Sequence, residues 1–321
     1  MSLLLVEGLR VRLRTENGLV TVVDGVGYGV EQGEVFGVAG ESGSGKTISM
    51  LALLGLLPDG AEVEGRVLFD GQELLGLPRS RLRSISGRDL AMVFQDPMTS
   101  LHPMLSVGRQ ITEHVEYHLG LHRRAAEQRA RELLEEVRIP DAAAALRAYP
   151  HQFSGGMRQR IAIAIALACR PKLLIADEPT TALDVTVQAG ILRLLDRLRR
   201  ENDLAVILIT HDLGVMSAIA DRVSIFYAGR VVESGTREDV LQRPRHPYTR
   251  SLLDALPHPE LRRDQPLVAI PGSPPSPGRI PAGCAFNPRC AYAEEDCRVQ
   301  LPELVASNGR ALACPVDPFE P

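Results

Sequence analysis

The stretch EVFGVAGESGSGKTISMLALLGLL, Glu34 to Leu57, decides how this chain folds. It opens as an apolar run with the composition of a buried strand. It then passes through Gly40, Gly43 and Gly45 and continues with the spacing of a helix. Strand, glycine loop and helix in that order match the phosphate-loop pattern Gly40-x-x-x-x-Gly45-Lys46-Thr47 in the setting that gives the pattern meaning. Glycines let successive backbone N–H groups converge on an anion without a Cβ in the way. The helix start adds partial positive charge. Gly40, Glu41, Ser42, Gly43, Ser44, Gly45, Lys46 and Thr47 are therefore expected to cradle the phosphates of ATP. Lys46 would reach the β- and γ-phosphates and the Thr47 hydroxyl would ligate Mg2+. Lys46 and Lys172 are the only lysines among 36 basic residues. A compact ammonium suits a backbone cradle better than the broad guanidinium used elsewhere in the chain.

The chain has 321 residues, 45% apolar and 24% charged, as in ordinary globular proteins. Its net charge of -4 gives no broad basic field, so nucleic acid is not an expected partner. The opening MSLLLVEGLR lacks a basic n-region, and no signal peptide is expected. No apolar run approaches the roughly 20 residues of a membrane-spanning helix, so a membrane role would come through a partner.

Strands are expected at Leu3–Val6, Val20–Val23, Glu34–Ala39, Val67–Asp70, Leu90–Phe94, Leu173–Asp177, Ala205–Thr210 and Arg222–Phe226. Helical patterns alternate with them at Lys46–Leu57, Val107–His118, Arg123–Val137, Ser154–Cys169, Val185–Arg200 and Leu213–Ala220. The alternation implies an α/β fold with a mainly parallel sheet. Residues 97–168 read as a helical insertion. Two short helices are expected at 236–242 and 247–256. Pro257 to Pro281 holds eight prolines and reads as an extended connector.

KLLIADEP ends a buried strand in two acids. Asp177 is placed to hold Mg2+ through water, and Glu178 to polarise an attacking water as general base.

FSGGMRQRIAIAIALACRPKLLIADEPTTALD, Phe153 to Asp184, resembles the ATP-binding-cassette ATPases. The resemblance implies that family's P-loop nucleotide-binding domain, with a mostly parallel core, an antiparallel β subdomain and a helical subdomain. It implies that the amides of Ser154, Gly155 and Gly156 bind the γ-phosphate held by an opposite subunit, in a head-to-tail dimer with two ATPs. Gln95 matches the glutamine that senses Mg2+ and water. Asp184 lies in the loop that communicates across the dimer, and His211 matches the histidine that contacts the γ-phosphate. The signature carries Phe153 and Met157 where many cassettes have leucine and glutamine. Leu13 stands where cassettes usually stack an aromatic on adenine; Tyr28, the next aromatic, is out of register.

GRDLAMVFQDPMTSLHPMLSVGRQI, RPRHPYTRSLLDALP and IPGSPPSPGRIPAGCAFNPRCAYAEEDC resemble the dipeptide/oligopeptide permease group, and in particular the first of its two ATPase subunits. The implied organisation is a nucleotide-binding domain over 1–240 and a C-terminal cysteine-bearing extension over 241–321. The implied partners are two membrane permease subunits, a second ATPase subunit that is either a paralogue or identical, and, indirectly, an extracytoplasmic solute-binding protein. The protein would sit peripherally on the cytoplasmic face of the membrane and drive peptide import. Nickel and oligosaccharide are alternative solutes, and a non-transport cassette is a rival reading. Asp96–Pro103 would form part of the surface that meets the membrane subunits.

Cys284, Cys290, Cys297 and Cys314 crowd the end of the chain. Four thiolates suit a [4Fe–4S] cluster or Zn2+, and a metal-free cap is the third reading. Cys169 reads as core packing.

Overall fold

The computed structural model describes residues 2–16, 18–181, 183–256 and 269–319. Its strands are β1 (Leu4–Thr15), β2 (Gly18–Val30), β3 (Val35–Ala39), β4 (Glu62–Phe69), β5 (Gln72–Glu73), β6 (Leu90–Val93), β7 (Leu173–Asp177), β8 (Ala205–Ile209), β9 (Arg222–Tyr227), β10 (Arg230–Thr236), β11 (Val305–Ser307) and β12 (Arg310–Leu312). The chain divides into two units. One is built mainly from Val30–Val35 and Gly76–Ile209, the other from Leu4–Gly29, Phe36–Leu75 and Thr210–Pro321.

In the first unit, β6, β7 and β8 run parallel, with Leu90 opposite Leu173 and Leu173 opposite Ala205. Every residue of β7 and β8 is buried, which explains why their sequences are apolar up to the terminal Asp177 of β7. The expected helical stretch contains the helices Val107–Leu119, Arg123–Glu136 and Gly155–Ala166. Val107–Leu119 is bounded by local chemistry. The Ser106 hydroxyl accepts from the Arg109 N–H, and Gly120 ends the helix with φ of 64°. Its buried Val107, Ile111 and Val115 recur every four residues, facing the buried Ala126, Ala130, Leu133 and Leu134 of its neighbour.

The second unit holds two sheets. An antiparallel sheet has the order β2-β1-β4-β5, with Leu4 opposite Phe69 and Val11 opposite Val63. Its strands are far longer than the expected Leu3–Val6 and Val20–Val23: β1 spans 12 residues and β2 spans 13. The added residues alternate with polar ones that pair across strands, as Arg10 does with Asp24 and Arg66 with Glu7. A search for apolar runs sees only half of such a strand.

In the other sheet β3 lies parallel to β9, and β10 runs antiparallel to β9. β12 pairs with β10, and β11 with β12. β10 is absent from the expected strands because Glu233 interrupts its apolar run. That carboxylate is wholly buried, accepts the backbone N–H groups of Arg245 (2.9 Å) and His246 (3.1 Å), and pairs with Arg310. A separate cysteine-bearing extension is therefore not supported. The chain after residue 241 adds strands to this sheet and shares a unit with Gly40–Thr47. Of the expected extended connector, residues 257–268 lie outside the described residues, and 269–281 carries neither helix nor strand.

Candidate nucleotide-binding site

β3 delivers the chain to Gly40, and the helix Lys46–Leu54 begins six residues later. Between them the loop is held by backbone hydrogen bonds. Ser44 N–H donates to the Glu41 carbonyl (3.3 Å), Gly229 N–H donates to the Ser44 carbonyl (3.0 Å), and Ser49 N–H donates to the Gly45 carbonyl (2.9 Å). The Lys46 side chain is buried. Its ammonium donates to the carbonyls of Gly40 (2.7 Å) and Glu41 (2.9 Å) and lies 3.4 Å from Ser44 Oγ. The charge thus sits inside the curve of the loop, where two short donor contacts and one longer one suit an ammonium. Ser42 and Gly43 are exposed and Thr47 is half-buried at the first turn of the helix.

In the same unit His211 is exposed just after β8, and the neighbouring Asp212 caps the helix Leu213–Ile219. Leu13 is half-buried on β1. Tyr28 is buried and stacked on Phe36 with ring centroids 5.1 Å apart, so it is a core residue. Burial raises its phenol well above the ordinary tyrosine range.

The other unit carries the acids. Asp177, the last residue of β7, is 3% exposed. Glu178 follows with φ of 45°, in the left-handed region. Its N–H donates to the Ile209 carbonyl (2.9 Å). Its Oε2 accepts from Gln95 Nε2 (3.1 Å) and from Thr181 Oγ1 (2.8 Å). Gln95 reaches it from the exposed turn after β6. Sequence reading named Gln95 and Glu178 separately; the fold puts one against the other, with Thr181 as a third member.

Ser154 caps the helix Gly155–Ala166, its hydroxyl accepting from the Met157 N–H at 3.4 Å. Ser154 and Gly155 are exposed at that helix start. A Cβ on Gly156 would lie 2.5 Å from Val187 Cγ1, so close packing requires the glycine. Asp184 caps the next helix, Val185–Asn202, accepting from the Val187 N–H at 2.9 Å. Ala182, between Thr181 and Asp184, lies outside the described residues.

Cys284, Cys290, Cys297 and Cys314 line one small apolar cavity with His246 and Phe286. All four are free thiols. Burial pushes Cys284 and Cys314 up to about 11. The expectation of a cluster or zinc site is not supported: among the described residues no three His, Cys, Asp or Glu side chains are arranged to hold a metal ion. Cys169 is 7% exposed in the helical unit, its thiol raised to about 11 chiefly by burial, in keeping with core packing.

Two residues escaped sequence reading. Arg289 and Tyr248 both bond to Glu41 of the glycine loop. The stretches that contain them stood out only as family resemblance, and nothing in their local spacing points to a loop more than 200 positions away.

Residues 23–181 match the family model described as ABC transporter, and residues 232–297 match the model of the oligopeptide/dipeptide transporter C-terminal region. The second match begins within β10 and ends at Cys297, short of Cys314. Among curated relatives, the oligopeptide transport ATP-binding protein OppD of Haemophilus influenzae is 48% identical over 306 residues, covering 95% of this chain and 94% of its own. The dipeptide transport ATP-binding protein DppD of Escherichia coli K12 is 47% identical over 321 residues, covering 98% and 96%. Among solved structures, the chain is similar to the ATP-binding cassette MJ0796 in a dimeric post-hydrolysis state bound to ADP and Pi. The TM-score is 0.65 with 26% identity, over 73% of this chain and 98% of that one.

Proposed function

The chain belongs to the ATP-binding-cassette transporter ATPases, and on that premise we propose how its residues serve the peptide-importing branch of the family. The protein is the ATP-hydrolysing subunit of a peptide importer, as its near full-length likeness to oligopeptide and dipeptide transport ATP-binding proteins indicates. The observation that carries the chemistry is the contact between Gln95 and the Glu178 carboxylate beside buried Asp177.

In the unit with the glycine loop, the amides of 42–47 and the Lys46 ammonium bind the β- and γ-phosphates. Thr47 offers a hydroxyl to Mg2+, His211 contacts the γ-phosphate, and Leu13 gives adenine an apolar surface. In the unit with the acids, Asp177 offers a carboxylate and Gln95 an amide oxygen to Mg2+. Hydroxyl, carboxylate and amide are all oxygen donors, the set a small hard cation prefers. Mg2+, when bound, neutralises charge on the phosphate oxygens. Glu178 accepts a proton from the attacking water, with Gln95 and Thr181 fixing its carboxylate. Ser154, Gly155 and Gly156 present the start of their helix to the γ-phosphate of a second ATPase subunit, and Asp184 holds the loop that faces it. A dimer is supported by the similar cassette described as dimeric.

Among the described residues no helix is long and apolar enough to cross a membrane. By analogy with the importer ATPases it resembles, the chain would work from the cytoplasmic face, against two permease subunits supplied by an extracytoplasmic binding protein. Phe94, Met98 and Met104, at 41%, 58% and 77% exposure around Asp96–Pro103, form the apolar part of the docking surface.

The test of the main reading has two arms. Purification from native membranes should bring multi-span membrane proteins with this chain. In the assembled complex Glu178→Gln should bind ATP but lose turnover by about 10²–10⁴-fold, the usual contribution of a general base. Normal turnover in that variant, or isolation of the chain without membrane partners, contradicts the reading.

A further inference from the structure

Glu41 is an acid set into a loop whose other features favour anions. Left unneutralised, its carboxylate would repel the triphosphate that the loop is proposed to bind. Every polar part of this residue is engaged. Its N–H donates to Tyr248 Oη (2.9 Å), and its carbonyl accepts from Lys46 Nζ (2.9 Å). Its carboxylate takes both arms of Arg289: Nη1 to Oε2 at 2.7 Å and Nη2 to Oε1 at 3.0 Å. Such a forked pairing fixes direction as well as charge.

Arg289 is itself held by other contacts. Its side chain is 5% exposed. Its Nε donates to the Pro271 carbonyl (2.8 Å), and Nη1 lies 3.2 Å from Tyr227 Oη. The guanidinium stands 5.8 Å from the Phe286 ring centre and 5.9 Å from that of Tyr227. Tyr227, Tyr248 and Phe286 are fully buried and in mutual ring contact, with centroids 4.5 to 5.4 Å apart. The anchor on Glu41 is therefore part of a packed core and not a mobile surface arm.

We propose that Arg289 and Tyr248 are positioning residues for the phosphate loop. Arg289 cancels the charge of Glu41, and with Tyr248 it fixes the first turn of the loop so that the following amides converge on phosphate. Residues near the end of the chain thereby set nucleotide affinity at its beginning. The proposal rests on the reading of Gly40–Thr47 as a triphosphate site.

The test is equilibrium binding of a fluorescent ATP analogue to the full chain, with circular dichroism confirming the fold of each variant. Arg289→Gln leaves the Glu41 carboxylate without its partner, and affinity should fall about tenfold or more. The loss should shrink as salt is raised, because it is a charge effect. Glu41→Gln should lose less affinity than Arg289→Gln, because no carboxylate is left to repel the triphosphate. The double variant Glu41→Gln/Arg289→Gln should return to within about threefold of wild type, a rescue that a purely structural role for Arg289 does not give. Wild-type affinity in folded Arg289→Gln overturns the proposal, as does a double variant no tighter than Arg289→Gln alone. Should Arg289→Gln fail to fold, Tyr248→Phe carries the test. The ring packing stays, the acceptor for Glu41 N–H goes, and affinity should fall about threefold or more. Unchanged affinity there overturns it too. A wild-type chain that binds no analogue instead overturns the triphosphate reading itself, a result distinct from wild-type binding with unaffected variants.

Discussion

Replacing Gly40 by alanine tests whether the glycine loop is held as tightly as the contacts imply. Gly40 has φ of 145°, and a Cβ there would lie 2.2 Å from the Phe226 carbonyl oxygen. That oxygen belongs to the backbone of β9, at a fully buried residue, and cannot swing aside as a side-chain tip would. The dihedral costs about 1–3 kcal/mol for any residue with a Cβ. Overpacking against a fixed neighbour adds about 1–3 kcal/mol. The sum, roughly 2–6 kcal/mol, is a large part of the 5–15 kcal/mol that ordinarily holds a protein folded. Gly43, three residues on, is the internal control. Its φ is 79° and no atom lies within 4 Å of a built Cβ. Gly43→Ala should therefore lose only the left-handed penalty, about 1–2 kcal/mol. Urea titration of both variants, followed by binding of an ATP analogue, measures the difference. Gly40→Ala within about 0.5 kcal/mol of Gly43→Ala, the noise for independent surface sites, would refute the packing argument.

Lys46→Arg should lose ATP turnover by at least about 100-fold despite keeping the charge, because the guanidinium fork is too broad for a cradle that holds the ammonium at 2.7 and 2.9 Å from two carbonyls; steady-state phosphate release is the assay. Gln95→Glu puts a second carboxylate about where the amide now stands, 3.1 Å from Glu178. The acid limb of the pH–rate profile should then move up by about one unit or more, since paired carboxylates cannot both ionise freely. His114 is lowered from 6.5 by burial, opposed by its bond to the Gly87 carbonyl, with His118 beside it also lowered. A histidine depressed in the folded state binds fewer protons than in the unfolded chain. Its contribution is present above pH 6.5 and is lost as pH falls below that value toward its folded pKa. Urea midpoints across that window should flatten in His114→Gln; an unchanged slope would count against the assignment.

What the sequence discloses depends on how far apart the interacting residues lie. β7 and β8 are legible because both their faces are dry, so every residue but the terminal Asp177 is apolar. β1 and β2 are half hidden, since their wet faces carry the charges that pair across the sheet. β10 disappears behind one buried glutamate whose partners come from Arg245, His246 and Arg310. The same holds at the site. The glycine loop and the Asp177–Glu178 pair are local patterns. Arg289 and Tyr248 meet Glu41 from 248 and 207 positions away, and no spacing rule spans such a distance. The four cysteines do come together around one cavity, yet a count of thiols carries no geometry.

The left-handed backbone of Glu178 has its own consequence. A strand sends neighbouring side chains to opposite faces, so two consecutive acids would normally be shut away on one side and stranded on the other. The sharp bend after Asp177 breaks that alternation: one carboxylate stays in the dry interior while the next is half-buried and meets Gln95 and Thr181. Two carboxylates in sequence thus acquire different surroundings at a single backbone bend. The arrangement also limits what can replace Glu178. Valine or threonine there would lose about 1–2 kcal/mol to backbone strain before any chemistry is counted.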